Sequence, residues 1–386
     1  MGITYTAGTS QSATTTAIGQ VADWSNIITN IDPETTILFN RYKNGEKATD
    51  METNWQLENL QPPGDNAHAE KVDYTSEATP PRSRMSNYVQ HLYNSFYVTD
   101  AQENRKLYGV PSEVGRQRRN AAKKHSADIE YAMLKNGIGN IESGATVARM
   151  TGVRGFVKRE GKSFTVASKT LTVAGHGYQT GDIVHFYIGS GGTMATGVKA
   201  DTRYFVGVLT ADTFKIYSNI DKAIKQASST EVNITAAGTT CYVTKDNIVD
   251  LGDAALSETS FNMAMQKQYD RGGVSHFVIA SPGRKADMSQ WTAGQLSTRD
   301  GNSEKLKRVV SWYTSDFGEV ELVPHRLQDD DRIDIQELQY WEKAPYIATK
   351  SFPIAKKGSY VEHVIETYMT MRCRAPLANA ALINVG

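Results

Sequence analysis

The sequence predicts a mixed α+β fold with a small all-β unit inserted into it. Three observations carry that prediction. One long helical pattern, Pro111 to Asn136, stands out against otherwise short elements. Brief strands separated by glycine turns fill residues 155–245, the spacing of a small β-barrel or sandwich. Residues 43–84 are polar and marked by Pro62-Pro63 and Pro80-Pro81. That excursion is too long for an ordinary connection inside a compact domain and reads as a functional arm.

The elements follow in chain order. The first twenty residues are a Thr/Ser/Ala/Gly tract without Lys or Arg and without an apolar core. No secretory signal is expected there, and too little can be buried to offset the entropy of ordering it. Asp23 can cap a short helix bearing Trp24, Ile27, Ile28 and Ile31, which Asp32-Pro33 stops. A second apolar segment, Ile37-Leu38-Phe39, follows. Trp55, Leu57 and Leu60 alternate with polar residues, which predicts an extended ribbon. Asn87 to Thr99 holds Tyr88, Val89, Leu92, Tyr93, Phe96, Tyr97 and Val98 and reads as a strand.

The long helix is predicted over 111–136. Pro111 suits a first turn, Glu113 the positive end and Lys135 the negative end, and Gly137 stops it. Such a helix spans roughly 37 Å. Val114, Ala121, Ala122, His125, Ile129, Ala132 and Met133 share one face, and Arg116, Arg119, Lys123 and Lys124 the other. Arg118 breaks the pattern by lying in the apolar arc.

In the inserted stretch, strands are expected at Phe164–Ala167, Thr170–Val173, Ile183–Ile188, Tyr204–Leu209, Phe214–Tyr217, Val232–Thr235 and Cys241–Thr244. Beyond it come a helix from Ser257 to Arg271 and strands at Phe277–Ala280, Val309–Tyr313, Val320–Val323 and Ile333–Leu338. A long last strand is expected from Val361 to Arg374, with Pro376 ending it.

Composition removes several function classes. The 386 residues are 39% hydrophobic and 22% charged, ordinary globular material. Lys plus Arg and Asp plus Glu each number 42, so the basic excess of a dedicated nucleic-acid-binding domain is absent. Two distant cysteines, Cys241 and Cys373, cannot form a disulfide framework and fit a reducing compartment. No apolar run approaches the roughly 18 residues of a membrane span.

No motif carries chemistry. Gly155 to Ser163 resembles a phosphate loop, but five residues separate Gly155 from Gly161, and a strand is expected to follow Lys162. A phosphate loop has four intervening residues and needs a helix N-terminus behind it. The eight histidines show no metal spacing; His176 reads as a turn residue and His125 as a packing residue. Asp329-Asp330-Asp331 could ligate calcium, but three adjacent carboxylates fit a solvated loop tip better. No nucleophile and base are paired. Catalytic residues, cofactor and metal are therefore not expected.

The order of elements resembles the major capsid proteins of tailed bacteriophages, whose Johnson capsid fold herpesviruses share. The residues that carry the resemblance are Asp23-Trp24-Ser25-Asn26-Ile27-Ile28, Ile31-Asp32-Pro33, Trp55-Gln56-Leu57 and Arg82 to Gln90. Gly272-Gly273, Tyr313 to Gly318 and Ala355 to Gly358 continue it. It covers about residues 20–150 and 250–386. It implies an N-terminal arm (1–42), an extended loop (43–85), and a peripheral domain (86–137 and 346–386) with its spine helix at 111–136. An axial domain would take 138–154 and 246–345. The insertion at 155–245 departs from the minimal fold. It is similar to small modules of phage fibre and decoration proteins at His176 to Asp182 and Ala211 to Tyr217. A second departure is Glu70-Lys71, where an acidic-glycine step is expected.

The resemblance implies a non-enzymatic subunit that self-assembles into an icosahedral head around packaged double-stranded DNA. Its partners would be copies of itself as hexamers and pentamers, a portal, scaffold or decoration proteins, and DNA touched without sequence preference. No membrane is involved. The shell would be assembled in the host cytoplasm. Contacts between subunits or with DNA would come from Trp55, Lys71, Arg82, Arg84, Arg116, Arg119, Lys123 and Lys124. A loop lysine such as Lys71 could also bond covalently to an asparagine next door, though no asparagine or activating carboxylate is marked. The rival reading is a phage fibre, decoration or adhesion protein built around the insertion.

Overall fold

The computed structural model describes residues 36–58, 60, 63, 67–68, 70–71, 73, 82–105, 111–227, 229–274, 277–291 and 312–386. The helix expected at Trp24–Ile31 and the start of the strand expected at Val309 lie outside these residues. The chain divides into two compact units. The larger comprises Thr35–Tyr93, His125–Lys350 and Glu366–Gly386; the described part of the smaller comprises Asn94–Lys124 and Ser351–Ile365.

The long helix runs Glu113–Lys135. It begins two residues after Pro111 because Ser112 caps it: the Ser112 hydroxyl accepts from the Gly115 N–H at 3.1 Å. In the larger unit, its Ile129, Ala132, Met133 and Leu134 pack with Leu38, Met150, Val153, Trp341, Met369 and Met371. The 3.6-residue spacing placed Ile129, Ala132 and Met133 together; Leu134 was not read on that face. Of the apolar face read in the sequence, Ala122 alone is exposed.

A six-stranded mixed sheet forms a second core. Its order across the sheet is Ile248–Ala254, Ala380–Val385, Arg332–Gln336, Phe277–Ala280, Gly318–Pro324 and Trp312–Ser315. The helix Glu258–Tyr269 packs on it through Phe261, Ala264 and Met265. Its start is set by Ser257 and Ser260, which cap each other reciprocally. The helix Pro282–Trp291 and the strand Ala380–Val385 were not expected from sequence. That strand opens with two alanines, poor strand formers. It forms because it lies between two paired neighbours.

The residues expected as an insertion form one seven-stranded antiparallel sheet, from Lys162–Ser163 to Thr239–Thr244. Strand Ile183–Thr193 pairs with Tyr204–Val208 only through Ile183 and Val184, and with Thr239–Thr244 further along. The sheet therefore bends around Phe164, Leu171, Phe186, Val206, Phe214 and Ile216. The strand expected at Val232–Thr235 is absent. Ile234 is buried there, yet among the described residues only Val232 makes a sheet-like bond, N–H to the Ile216 carbonyl at 2.9 Å. The helix Ile220–Lys225, capped by Asn219, went unread in the sequence.

A four-stranded sheet orders Lys43–Asn44, Trp341–Pro353, Tyr360–Cys373 and Gln90–Thr99. The single strand expected over Asn87–Thr99 is two, Ser83–Tyr88 and Gln90–Thr99, broken at Val89. There the Val89 N–H turns to the Met51 carbonyl at 2.8 Å. In the smaller unit, Phe96 stacks on His363 at 5.4 Å, and Asp100 pairs with Lys356 at 2.6 Å. No described helix is long and apolar enough to cross a membrane.

Candidate functional site

The predicted ribbon is a hairpin stem. Glu52–Leu57 pairs antiparallel with Ser83–Tyr88, from Glu52 opposite Tyr88 to Leu57 opposite Ser83. Trp55, opposite Met85, is half-buried and leans on Phe156 at 6.1 Å. Phe156 meets Trp341 edge-on at 5.8 Å, and Trp341 stacks on Tyr42 at 5.3 Å. The stem is thus fixed to the core by its aromatic foot. Asn87, fully buried, does the same with hydrogen bonds. Its amide donates to the Met371 carbonyl at 2.6 Å and the Thr151 carbonyl at 3.2 Å, and its oxygen accepts from the Thr151 N–H at 2.7 Å. Sequence reasoning missed Asn87. The only signal was a polar residue among strand formers.

The candidate cations fall into two groups. Arg82 pairs with Glu58 at 2.8 Å, and Arg84 reaches Asn54 at 2.9 Å and Glu52 at 3.1 Å, so both are engaged along the stem. They stay 66% and 67% exposed, and pairs of this kind contribute about 0–1 kcal/mol. Arg116 is held by Glu113, which also accepts from Gln117 at 2.8 Å. That guanidinium keeps the Glu113 carboxyl below its ordinary range. Arg119, Lys123 and Lys124 are exposed on the helix, and Lys71 is exposed in the loop. Arg118 lies 3.5 Å from His363, which explains its place in the apolar arc. Glu103 was missed. Its carboxylate accepts from the Val114 N–H at 3.0 Å and from the Ser112 hydroxyl at 2.7 Å, stabilising the positive end of the spine helix. Those bonds hold its carboxyl below the usual range.

The base of the bent sheet is a charged seam within the larger unit. Lys267, 3% exposed, pairs with Asp201 at 2.6 Å and donates to the Ile248 carbonyl at 3.1 Å. Arg271 donates to the Ile183 carbonyl at 2.9 Å. Arg203 pairs with Asp270, and Arg159 with Asp250 at 3.1 Å while lying over the Tyr187 ring at 3.8 Å. Burial pushes Arg271 down to about 10. His185 sits among these cations, 2% exposed, its Nδ1 without a partner among the described residues. Burial first, then Lys267, Arg271, Arg203 and Arg159, push it down to about 2.

A cavity of about 480 Å³ lies beside the stem, lined in part by Leu57, Met85, Phe156, Lys162, His176 and Asp246. Its titratable groups are committed. His176 bonds the Thr210 carbonyl at 3.1 Å and accepts from the Tyr178 N–H at 2.8 Å, and Lys162 donates to the Gly175 and His176 carbonyls. Asp246 accepts from the Glu160 N–H at 2.9 Å and the Ile248 N–H at 3.1 Å.

Two further motifs resolve as packing. A Cβ at Gly161 would collide with the Tyr187 hydroxyl, so that glycine allows close approach and does not cradle phosphate. Asp329 is engaged by Lys135 and by Arg154 at 2.5 Å. Among the described residues no three His, Cys, Asp or Glu side chains gather to hold a metal.

The model of the SU10 major capsid protein family matches residues 4–386. Among solved structures, the chain is similar to the capsid of cyanophage A-1(L), with a TM-score of 0.56 at 9% identity, covering 97% of this chain and 98% of that one. The capsid of a native GTA particle gives 0.53 at 11% identity, over 98% and 100% of the two chains. The capsid of cyanophage P-SCSP1u gives 0.53 at 8%, over 95% and 93%. At such identities these likenesses establish a shared fold. No curated protein matches the chain.

Proposed function

The chain belongs to the SU10 major capsid protein family, and from that premise we propose how its parts serve a shell. It is a capsid-forming structural protein of a bacteriophage virion, and it assembles with copies of itself. The shell is an icosahedral head of hexamers and pentamers around packaged double-stranded DNA. It is built in the host cytoplasm, with a portal and with scaffold or decoration proteins as further partners. Residues 1–42 act as an arm whose last turn, Ile37–Arg41, is seated in the chain's own core, and 43–85 as a loop reaching a neighbouring subunit. The peripheral domain (86–137 and 346–386) carries the spine, and 138–154 with 246–345 form the axial domain. The inserted segment faces outward.

The observation that supports this reading is the anchored hairpin stem. Trp55 and Asn87 fix its foot within the larger unit, while the stem carries Arg82 and Arg84 at 66% and 67% exposure. A rigid foot under a polar, cation-bearing stem suits a weak, repeated contact, and closing a shell sums many such contacts. Trp55, Lys71, Arg82 and Arg84 are assigned to subunit contacts. Arg119, Lys123 and Lys124 are assigned to phosphates of the packaged genome, contacts that carry no sequence preference, with Arg116 orienting beside them.

Electron microscopy of the purified full chain tests the reading. Closed shells are expected; rods or elongated trimers would favour the fibre alternative, and small particles at every concentration would remove the shell. Replacing residues 162–244 by a short linker should leave shells that still close. A complete failure to assemble would assign that sheet a bracing role.

A further inference from the structure

Leu38, 0% exposed, and Tyr42, 3% exposed, lie in the core of the larger unit, so the chain enters that core through the helix Ile37–Arg41. That helix has five residues, too few to be stable alone. Its N-cap, Thr36, makes no side-chain capping bond. The missing acceptor comes from the spine helix. Glu130, 0% exposed, accepts from the Leu38 N–H at 2.5 Å with one oxygen and from the Phe39 N–H at 2.9 Å with the other.

One further residue bonds that carboxylate, and a second places a charge nearby. His325, 1% exposed, lies with Nε2 3.0 Å from Glu130 Oε1. His325 Nδ1 accepts from the Leu327 N–H at 3.1 Å, which leaves the ring proton on Nε2, where it donates to Glu130. Lys343 donates to the Phe39 carbonyl and lies over the Phe39 ring at 3.9 Å, placing a cation near the buried carboxylate. A carboxylate so deep is tolerated when several donors satisfy it. Apolar packing alone would let a single helical turn slide or rotate, whereas two directed N–H bonds fix both its axis and its register.

We propose that Glu130 is a positioning residue for assembly. It fixes the axis and register of the helix Ile37–Arg41 against the core, and His325 orients it. This deepens the shell reading and rests on it for the consequence, though not for the anchor itself. A subunit whose helix Ile37–Arg41 is held in one orientation meets its neighbour with less ordering cost than one in which that turn is loose.

Hydrogen exchange on the unassembled full chain decides the anchor. In Glu130→Gln, which keeps the shape and removes one acceptor and the charge, exchange across residues 37–42 is expected to rise by about ten-fold or more. That is the scale of losing a hydrogen bond to a charged acceptor. The amides of Ala132, Met133 and Leu134 should stay at their wild-type rates. His325→Gln, whose side-chain amide can still donate, should restore most of the protection that His325→Leu removes. Microscopy of the same samples should show fewer closed shells for Glu130→Gln. Unchanged exchange at 37–42, or an equal rise through 132–134, overturns the anchor. Loosened 37–42 with undiminished shells overturns its role in assembly. If the wild-type chain itself forms no shells, the shell reading falls, and the exchange comparison still decides the anchor.

Discussion

The base of the bent sheet and the buried half of the spine helix lie in one compact unit and are attached in opposite ways. The helix is held by apolar packing, Ile129, Ala132, Met133 and Leu134 among methionines and Trp341, with the buried Glu130 among them. The sheet is held by charges: Lys267 to Asp201, Arg203 to Asp270, Arg159 to Asp250, and Arg271 to a backbone carbonyl. Packing is non-directional and scales with area. Charged bonds contribute little net energy but fix angles, because each leaves a costly orphan when misaligned. The helix is therefore the unit's stability and the seam its geometry.

If that contrast holds, the largest effect comes from the helix. Met133→Ala should destabilise the chain by about 2–5 kcal/mol, the transfer term plus the cavity left behind, read from urea unfolding. A loss under 1 kcal/mol would show that the spine is not a principal source of stability. The seam should respond less, because Asp201 stays 23% exposed and can rehydrate. Lys267→Ala is expected to cost about 1–3 kcal/mol. The loss should be local, speeding amide exchange in Ile183–Thr193 before that of Ala132–Leu134. Uniform loosening would mean that the seam and the helix are one cooperative element.

The same contrast explains what the sequence revealed. The spine helix was legible because apolar residues recur at helical spacing over six turns, and the inserted strands because glycines punctuate alternating apolar residues. Seam, cap and anchor were not legible. Lys267 on a helix and Asp201 in a turn look like solvated charges until the fold brings them to 2.6 Å. Glu130 looks like any polar helix residue, and its partners lie more than 90 and nearly 200 positions away. The hairpin register was hidden for the same reason: Glu58 and Arg82 lie 24 positions apart. Of the eight candidate contact residues, Trp55 packs on Phe156, and Arg82, Arg84 and Arg116 form ion pairs within the chain.

Acid sharpens the comparison further, since the seam holds a neutral histidine. His185 on strand Ile183–Thr193 faces Lys267 and Arg271 from the helix side, Arg203 from the turn before Tyr204, and Arg159 from the segment before Lys162. Asp182, Asp201, Asp246 and Asp270 balance those cations. Its folded pKa lies near 2, against an ordinary value of 6.5. The unfolded chain therefore takes up a proton as pH falls below about 6.5, while the folded chain does not until about 2. The stability due to neutral His185 is complete above that window and declines through it. Over pH 6 to 5 the expected loss is about 1.2 kcal/mol beyond that of His185→Gln. Burial also holds His125 and His363 below the ordinary value, so the comparison with the variant is the decisive measurement. Parallel pH profiles for the two proteins would remove His185 from the seam's chemistry.

The smallest effect on stability belongs to the exposed cations of the spine. Arg119, Lys123 and Lys124 replaced together by glutamine should move the melting free energy by no more than about 0.5 kcal/mol, as for surface positions generally. Binding of unassembled chain to duplex DNA of arbitrary sequence should respond in a different coordinate. Removing one cation from a phosphate lowers the slope of log affinity against log salt by about 0.9. Removing all three would flatten it by up to about 3 units, equally for every sequence tested. A flatter slope with unchanged melting separates a nucleic-acid face from a structural one. An unchanged slope would return these three residues to contacts between subunits, where the difference should appear in the salt dependence of shell closure.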